Sequence, residues 1–206
     1  TPRHLPIVMK EDIEWEKLAY LENHKYKFPG IRIEVQPVRT FHYGDLAANT
    51  IGYIGSINRD QLEQDKEAFY QGGDMIGKRG LEKLREKDLR GEKGRSSTEV
   101  NARGFEQRQL KNLAPLPGND IRLTLDAELQ KEAEEFMSIG EKAGAIVALE
   151  VNTGRVLVAA SSPSIHLEDF VGGISTENWK ALLENPKHPL INKVVQAAYP
   201  PGSTYK

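Results

Sequence analysis

The chain has 206 residues, 38% of them hydrophobic and 28% charged. That is ordinary globular usage, which excludes wholesale disorder, collagen-like sequence and coiled coil, and the length leaves room for one small domain plus part of another. Twenty-eight basic against 30 acidic residues give a net charge of −2, so no nucleic-acid partner is implied, and the absence of cysteine excludes thiol catalysis, disulfides and zinc-finger spacings while leaving the compartment open.

Taken in chain order, Leu5–Met9 is strand-like. A helical pattern then sets Ile13, Leu18 and Leu21 on one side, and after the turn Phe28-Pro-Gly30 the run Ile31–Val35 alternates as a strand does. Ile51–Ile54 is also strand-like, a polar helix is expected from about Asp60 to Tyr70, and after Gly72-Gly73 a second helix is expected from about Arg79 to Leu89, ended by Gly91. Glu99 to Gln109 reads as two polar, exposed strands joined at Asn101–Gly104. Leu113 to Asn119 holds two prolines and a glycine, and the composition turns more apolar after it, which places a domain boundary near residue 120.

Beyond that boundary come the segment Ile121-Arg-Leu-Thr-Leu125 and a helix with Asp126 as its N-cap and Leu129, Ala133 and Phe136 on one face. A hairpin of Ala143–Val151 and Arg155–Ser161 follows, turning at Asn152-Thr-Gly154. Both strands are apolar on both faces, as strands covered by helices are. The fold class is α+β with antiparallel sheet. The longest apolar run, Ala143–Leu149, is far short of the roughly 20 residues a membrane helix needs, and no signal-peptide pattern opens the sequence.

Near the end stands Tyr199-Pro-Pro-Gly-Ser-Thr-Tyr-Lys206. On a helix, Ser203 and Lys206 share one face, so a hydroxyl nucleophile and an amine base can meet. Serine is a weak nucleophile near neutral pH, and a lysine serves as its base when desolvation or nearby positive charge lowers its pKa. The prolines and Gly202 would turn the chain sharply and set Ser203 near a first helical turn, whose free N–H groups suit an oxyanion. Ser-x-x-Lys by itself is also common surface decoration.

The five histidines (His4, His24, His42, His166 and His188) show no metal-ligand spacing, and packing or solvated roles are expected for them. Trp15 and Trp179 are expected in core or interface, and no P-loop is present. No cofactor or metal is implied.

Leu123-Thr-Leu-Asp-x-x-Leu-Gln130, the stretch Ala143–Pro163, and Pro189-Leu-Ile-Asn192 ahead of Ser203-Thr-Tyr-Lys206 together resemble the class B penicillin-binding proteins, of the elongation-specific type. Arg39-Thr-Phe-His-Tyr-Gly44, Gly52-Tyr53, Gly77-Lys-Arg-Gly-Leu-Glu82 and Leu89-Arg-Gly91 resemble the non-catalytic pedestal of that family. The resemblance implies a mixed pedestal over residues 1–119, incomplete at its start. The beginning of a serine β-lactamase-like transpeptidase domain would then occupy residues 120–206. It implies Ser203 as nucleophile and Lys206 as base in peptidoglycan cross-linking, with stem peptides as substrates and β-lactams as acylating inhibitors. It further implies a membrane glycan polymerase and a rod-shape scaffold as partners, and a periplasmic location below a membrane helix that is not in this sequence.

The alternative reading is a docking module that carries no chemistry; a β-lactamase or β-lactam sensor fits less well, since those lack a pedestal resembling residues 39–91. The family's Ser-x-Asn and Lys-Thr/Ser-Gly motifs do not follow Lys206 within these residues, and Ser56-Ile-Asn58 matches the first by letters only. Ser164-Ile-His-Leu-Glu168 stands where the family often has Tyr-Asp-Pro-Asn. The 206-residue polypeptide is therefore expected to be inactive.

Overall fold

The computed structural model describes residues 9–10, 12–31, 33, 35, 38–100, 106–140, 142–200 and 202–205. The helices are α1 (Trp15–Asn23), α2 (Ala48–Ile51), α3 (Arg59–Glu63), α4 (Gly80–Leu84), α5 (Glu86–Leu89), α6 (Ala127–Ser138) and α7 (Thr176–Glu184). The strands are β1 (Ile54–Ser56), β2 (Met75–Gly77), β3 (Arg95–Val100), β4 (Glu106–Leu113), β5 (Gly144–Leu149) and β6 (Val156–Ser162). They pair consecutively as three two-stranded antiparallel sheets, β1 with β2, β3 with β4 and β5 with β6, in the α+β class expected. The chain forms two compact units: Thr1–Pro37 with Arg95–Leu113, and Val38–Gly94 with Ala114–Lys206.

In the first unit α1 half-buries Leu18 and Leu21, and Ile13 just ahead of it is half-buried too, as the spacing predicts. Trp15, expected in a core or interface, is 79% exposed, because it lies off that face. Tyr20 stacks on His24, with ring centroids 4.2 Å apart, and the His24 Nδ1 lies 2.9 Å from the Tyr20 carbonyl oxygen, a packing role for this histidine. Ile31, Ile33 and Val35 lie in no strand: a strand needs a neighbour to pair with, and among the described residues none is offered here. Leu5–Val8 lie outside the described residues. The hairpin is longer than its sequence signal, running Arg95↔Leu113 to Val100↔Glu106; its expected turn at Asn101–Gly104 falls outside the described residues.

The second unit depends on a backbone contact. The expected strand at Ile51–Ile54 is replaced by α2, which stops at Gly52 (φ +80°), and β1 begins only at Ile54. A Cβ built on Gly52 would lie 2.0 Å from the Arg79 carbonyl oxygen, and one on Gly80 (φ +57°) would lie 2.5 Å from that of Thr50. No side chain fits between them, so the end of α2 and the start of α4 touch main chain to main chain.

The polar helix expected to reach Tyr70 ends at Glu63. The Asp65 carboxylate accepts the N–H groups of Glu67 and Tyr70 at 3.2 and 2.7 Å, offering the backbone a turn in place of more helix. The helix expected over 79–89 is two helices broken at Arg85. Within the first, the buried Glu82 takes two hydrogen bonds from Arg39, at 2.8 and 2.9 Å. Asn58 caps α3, accepting the Gln61 N–H at 2.8 Å, so the Ser-Ile-Asn letter match is a helix cap.

Asp126 caps α6 as expected, accepting from the Glu128 and Leu129 N–H groups at 3.0 Å each. Of the expected face of α6 only Ala133 packs inward: Leu129 and Phe136 are exposed, whereas Gln130 and Met137 are buried. The reason is a polar demand from β6. Its outer edge presents the Ala159 N–H, which Gln130 Oε1 accepts at 2.8 Å, and the helix turns to bring Gln130 there. Gln130 Nε2 in turn donates to Glu134 Oε1 at 2.7 Å, and that oxygen also accepts the Ala47 N–H at 2.9 Å.

The segment Ile121–Leu125 runs beside β6 but forms no ladder. The Thr124 hydroxyl donates to the Val156 carbonyl at 2.6 Å and the Asp126 N–H to that of Leu157 at 2.9 Å, closing this edge by other means.

The β5–β6 hairpin forms with register Gly144↔Ser162 to Leu149↔Val156, and Gly154 at φ +73° completes its turn. Met137 and Ala133 of α6 cover one face through Val158, Ala160, Ile146 and Ala148. β6 is buried on both faces as expected, Val158 through Ser161 all being buried, whereas β5 is covered on one face: Val147 and Leu149 are 48% and 58% exposed, and among the described residues the far edge of β5 pairs with no strand. A second core gathers Ala48, Tyr53, Ile165, Leu167 and Phe170, with Tyr53 and Phe170 stacked at 3.7 Å and Trp179 of α7 packed alongside, as a core tryptophan. Residues on both sides of position 120 build it.

Replacing Gly80 by alanine is expected to cost about 3 kcal/mol or more, from a strained φ and a Cβ driven into backbone, read as the shift in urea-unfolding free energy. Gln130→Leu leaves the Ala159 N–H without its acceptor and is expected to cost about 1–3 kcal/mol in the same measurement.

Candidate active site

The approach to the candidate nucleophile runs from β6 through a 3₁₀ turn (Leu167–Phe170), α7 and a long irregular segment to Ser203. Ser203 sits in a short 3₁₀ helix, Gly202–Tyr205, and is exposed. The sequence suggested a helical turn here, and Gly202, at φ +56°, supplies the sharp turn expected of it. Lys206, the expected base, lies outside the described residues, as does Pro201.

The segment before Ser203 has no secondary structure over 185–201 among the described residues, so its polar main-chain groups need partners from elsewhere. Three successive carbonyls find them. Asn49 Nδ2 donates to Pro189 O at 2.9 Å and to Ile191 O at 3.3 Å, and Arg79 Nη1 donates to Leu190 O at 2.5 Å. The Ser161 hydroxyl, on β6, also reaches Ile191 O at 3.4 Å and accepts the Lys193 N–H at 3.0 Å. Contacts return to Asn49: the Asn192 amide donates to its carbonyl at 3.2 Å and the Ser164 hydroxyl to its Oδ1 at 3.0 Å. Pro189 is fully buried.

Two further polar contacts frame this region. Asp45 accepts the Leu167 N–H at 2.8 Å and pairs with His166 Nδ1 at 2.6 Å, tying the 3₁₀ turn to the segment before α2. Lys193 is almost wholly buried, donates Nζ to His188 O at 3.0 Å, and burial holds its amine below the ordinary lysine range. Burial likewise raises the Glu134 carboxyl above the usual carboxylate range, the hydrogen bonds from Gln130 and Ala47 opposing it and the charge of Asp45 adding to it. Among the described residues no group of three or more His, Asp or Glu side chains is placed to hold a metal ion, and no helix is long and apolar enough to cross a membrane.

Residues 1–123 match the family model of the penicillin-binding protein dimerisation domain, and residues 144–206 that of the penicillin-binding protein transpeptidase domain. The chain belongs to the penicillin-binding proteins. It is 40% identical over 200 residues to the peptidoglycan D,D-transpeptidase MrdA of Acinetobacter baumannii, covering 97% of this chain and 30% of that protein. To MrdA of Escherichia coli it is 38% identical over 208 residues, covering 99% and 32%. The chain thus spans about a third of the length of the curated relatives it matches. Among solved structures it is similar to penicillin-binding protein 2 of Helicobacter pylori in complex with MreC, with a TM-score of 0.78, 35% identity, and coverage of 95% of this chain and 36% of that one. It is also similar to penicillin-binding protein 2 of Pseudomonas aeruginosa in complex with WCK 5153, with a TM-score of 0.67, 36% identity, and coverage of 82% and 33%.

In this penicillin-binding protein, Ser203 falls within the transpeptidase match, whereas Asn49 and Arg79 fall within the dimerisation match. Sequence reasoning singled out Ser203 but not Asn49, Arg79, Ser161 or Gln130. The available signal was the polar pair Asn49-Thr50 inside the otherwise apolar run from Leu46 to Ile54, since such residues must find partners when they are buried.

A carboxyl raised by burial binds its proton more tightly in the folded than in the unfolded protein, so its contribution to stability falls as pH rises above 4.5 and levels off above the folded value. Glu134→Gln removes that term. The variant is expected to gain stability relative to the unmodified protein across this window and to hold a constant difference above it, as read from urea unfolding at a series of pH values.

Proposed function

We propose that the chain is the non-catalytic pedestal and the nucleophile-bearing start of a serine-type peptidoglycan DD-transpeptidase of the penicillin-binding protein 2 kind, which cross-links stem peptides in lateral wall elongation. The observation that carries the reading is Ser203-Thr-Tyr-Lys206 at the end of a transpeptidase match that itself follows a dimerisation match. On this reading the pedestal occupies residues 1–119 and the transpeptidase domain begins at 120. The packing of 38–94 against 114–206 as one compact unit makes the two parts mechanically continuous.

Ser203 Oγ attacks the carbonyl between the two terminal D-alanines of a stem peptide, and Lys206, in its neutral form, takes the hydroxyl proton. Collapse of the tetrahedral intermediate breaks the peptide bond, and the proton passes to the departing D-alanine amine. An amine of a neighbouring stem then attacks the ester, forming the cross-link and returning the serine; water in place of the amine gives carboxypeptidase activity. A β-lactam enters by the same attack and stays as an acyl adduct. The reading places this portion in the periplasm of a protein held in the inner membrane.

A second reading assigns residues 1–119 to docking on a scaffold protein and a membrane glycan polymerase. The likeness to a structure of penicillin-binding protein 2 in complex with MreC supports the scaffold part, as does the exposure of Trp15 and Tyr26 on the first unit. The two readings are compatible within one protein.

Intact mass spectrometry before and after a labelled penicillin tests the chemistry. The 206-residue polypeptide is expected to gain no adduct, since the strand and motifs that complete the relay in the family are not among its residues. The full-length protein is expected to gain one, lost in Ser203→Ala and formed about 10²–10⁴-fold more slowly in Lys206→Ala. An adduct that persists in Ser203→Ala rejects the assignment of the nucleophile.

A further inference from the structure

The transpeptidase reading leaves open what holds the segment leading into Ser203. Asn192 stands eleven residues before Ser203, and the 3₁₀ helix that carries the serine begins only at Gly202. Beyond a local turn, in which the Val195 and Gln196 N–H groups donate to Asn192 O at 3.2 and 2.9 Å, the segment forms no helix or strand among the described residues before Gly202, so the position of its far end depends on how firmly its near end is held. Acyl transfer is demanding in this respect, because a displacement of about 1 Å costs on the order of a hundredfold in rate.

Besides the Ser161 hydroxyl at Ile191 and Lys193, the near end is held by two side chains distant in sequence. Asn49 and Arg79 lie 140 and 111 residues away from the carbonyls they bind, and between them they take Pro189 O, Leu190 O and Ile191 O in succession. Both are half-buried, and Asn49 uses both ends of its amide, Nδ2 toward the segment and Oδ1 toward Ser164. Arg79 is placed by the main-chain contact at Gly52 and Gly80, which brings the residue beside Gly80 against the end of α2. Neither has any other assignment in the reaction.

We propose that Asn49 and Arg79 are positioning residues for acylation: they touch no substrate, and by holding the three carbonyls at 189–191 they fix the approach of the segment that delivers Ser203. The proposal rests on the transpeptidase reading and adds two residues from the other domain match to it. A purely structural role would lower stability and leave the acylation of folded molecules unchanged. A positioning role lowers the acylation rate of folded molecules and leaves inhibitor affinity unchanged.

The test uses the full-length protein and stopped-flow acylation by a fluorescent penicillin, with the saturating rate and the dissociation constant measured separately, on Asn49→Ala, Arg79→Ala and Arg79→Lys. Each variant is assayed at least 20 °C below its own melting midpoint, so that only folded molecules are compared. The saturating rate is expected to fall about 10- to 100-fold in each alanine variant, with the dissociation constant within twofold of the unmodified protein and Arg79→Lys recovering most of the loss. Alanine variants that acylate within twofold of the unmodified protein overturn the positioning role and leave the transpeptidase reading intact. An unmodified protein that is not acylated overturns both.

Discussion

The approach of two backbones at Gly52 and Gly80 is the constraint on which the second compact unit rests. Each Cβ would fall within 2.5 Å of a carbonyl oxygen of the other segment, and each glycine has a positive φ, so the contact is closed to every other residue on two grounds. Because α2 and α4 meet at this distance, Asn49, three residues before Gly52, and Arg79, directly before Gly80, are brought to the same neighbourhood. Asn49 and Arg79 therefore converge on the same stretch of chain. Tyr53, just past Gly52, is aimed into the core, where it stacks on Phe170.

The second determinant is polar. Among the described residues β6 carries an outer edge with no partner strand, and the fold satisfies it from three places: Thr124 and the Asp126 N–H at its start, Gln130 at the Ala159 N–H, and Thr50 at Ala159 O. An unpaired buried N–H or C=O costs more than an ordinary apolar contact returns, so this edge outranks the apolar stripe of α6 in setting how that helix is turned. Glu134 is the far end of the same chain of bonds, linking Gln130 to the Ala47 N–H, and it meets the cost of partial burial in its raised affinity for a proton.

What the sequence made legible was local. The Asp126 cap, the turn at Asn152-Thr-Gly154 and the serine behind a glycine in a proline-rich approach are each dictated by residues within a few positions of one another, and the structure places all three. The face of α6 was misjudged because apolar spacing says nothing about Gln130, whose role is set by a strand 29 residues on. The helix over 79–89 broke at Arg85, where spacing alone gave no reason for a break. Asn49 and Arg79 were invisible because their partners are main-chain carbonyls, and a carbonyl leaves no mark in the identity of the residue that bears it. Lys206 remains a reading of the motif.

Among the described residues the far edge of β5 pairs with no strand, and this has a consequence for handling the molecule. Its N–H and C=O groups point outward beside exposed Val147 and Leu149, with no charged residue between Gly144 and Leu149 to discourage a visitor. An edge with these properties accepts any extended chain that reaches it. Two copies of the 206-residue polypeptide meet that description as readily as any other strand, so its colloidal behaviour is governed by concentration: a dilute solution keeps the edge hydrated, and a concentrated one invites sheet-to-sheet association.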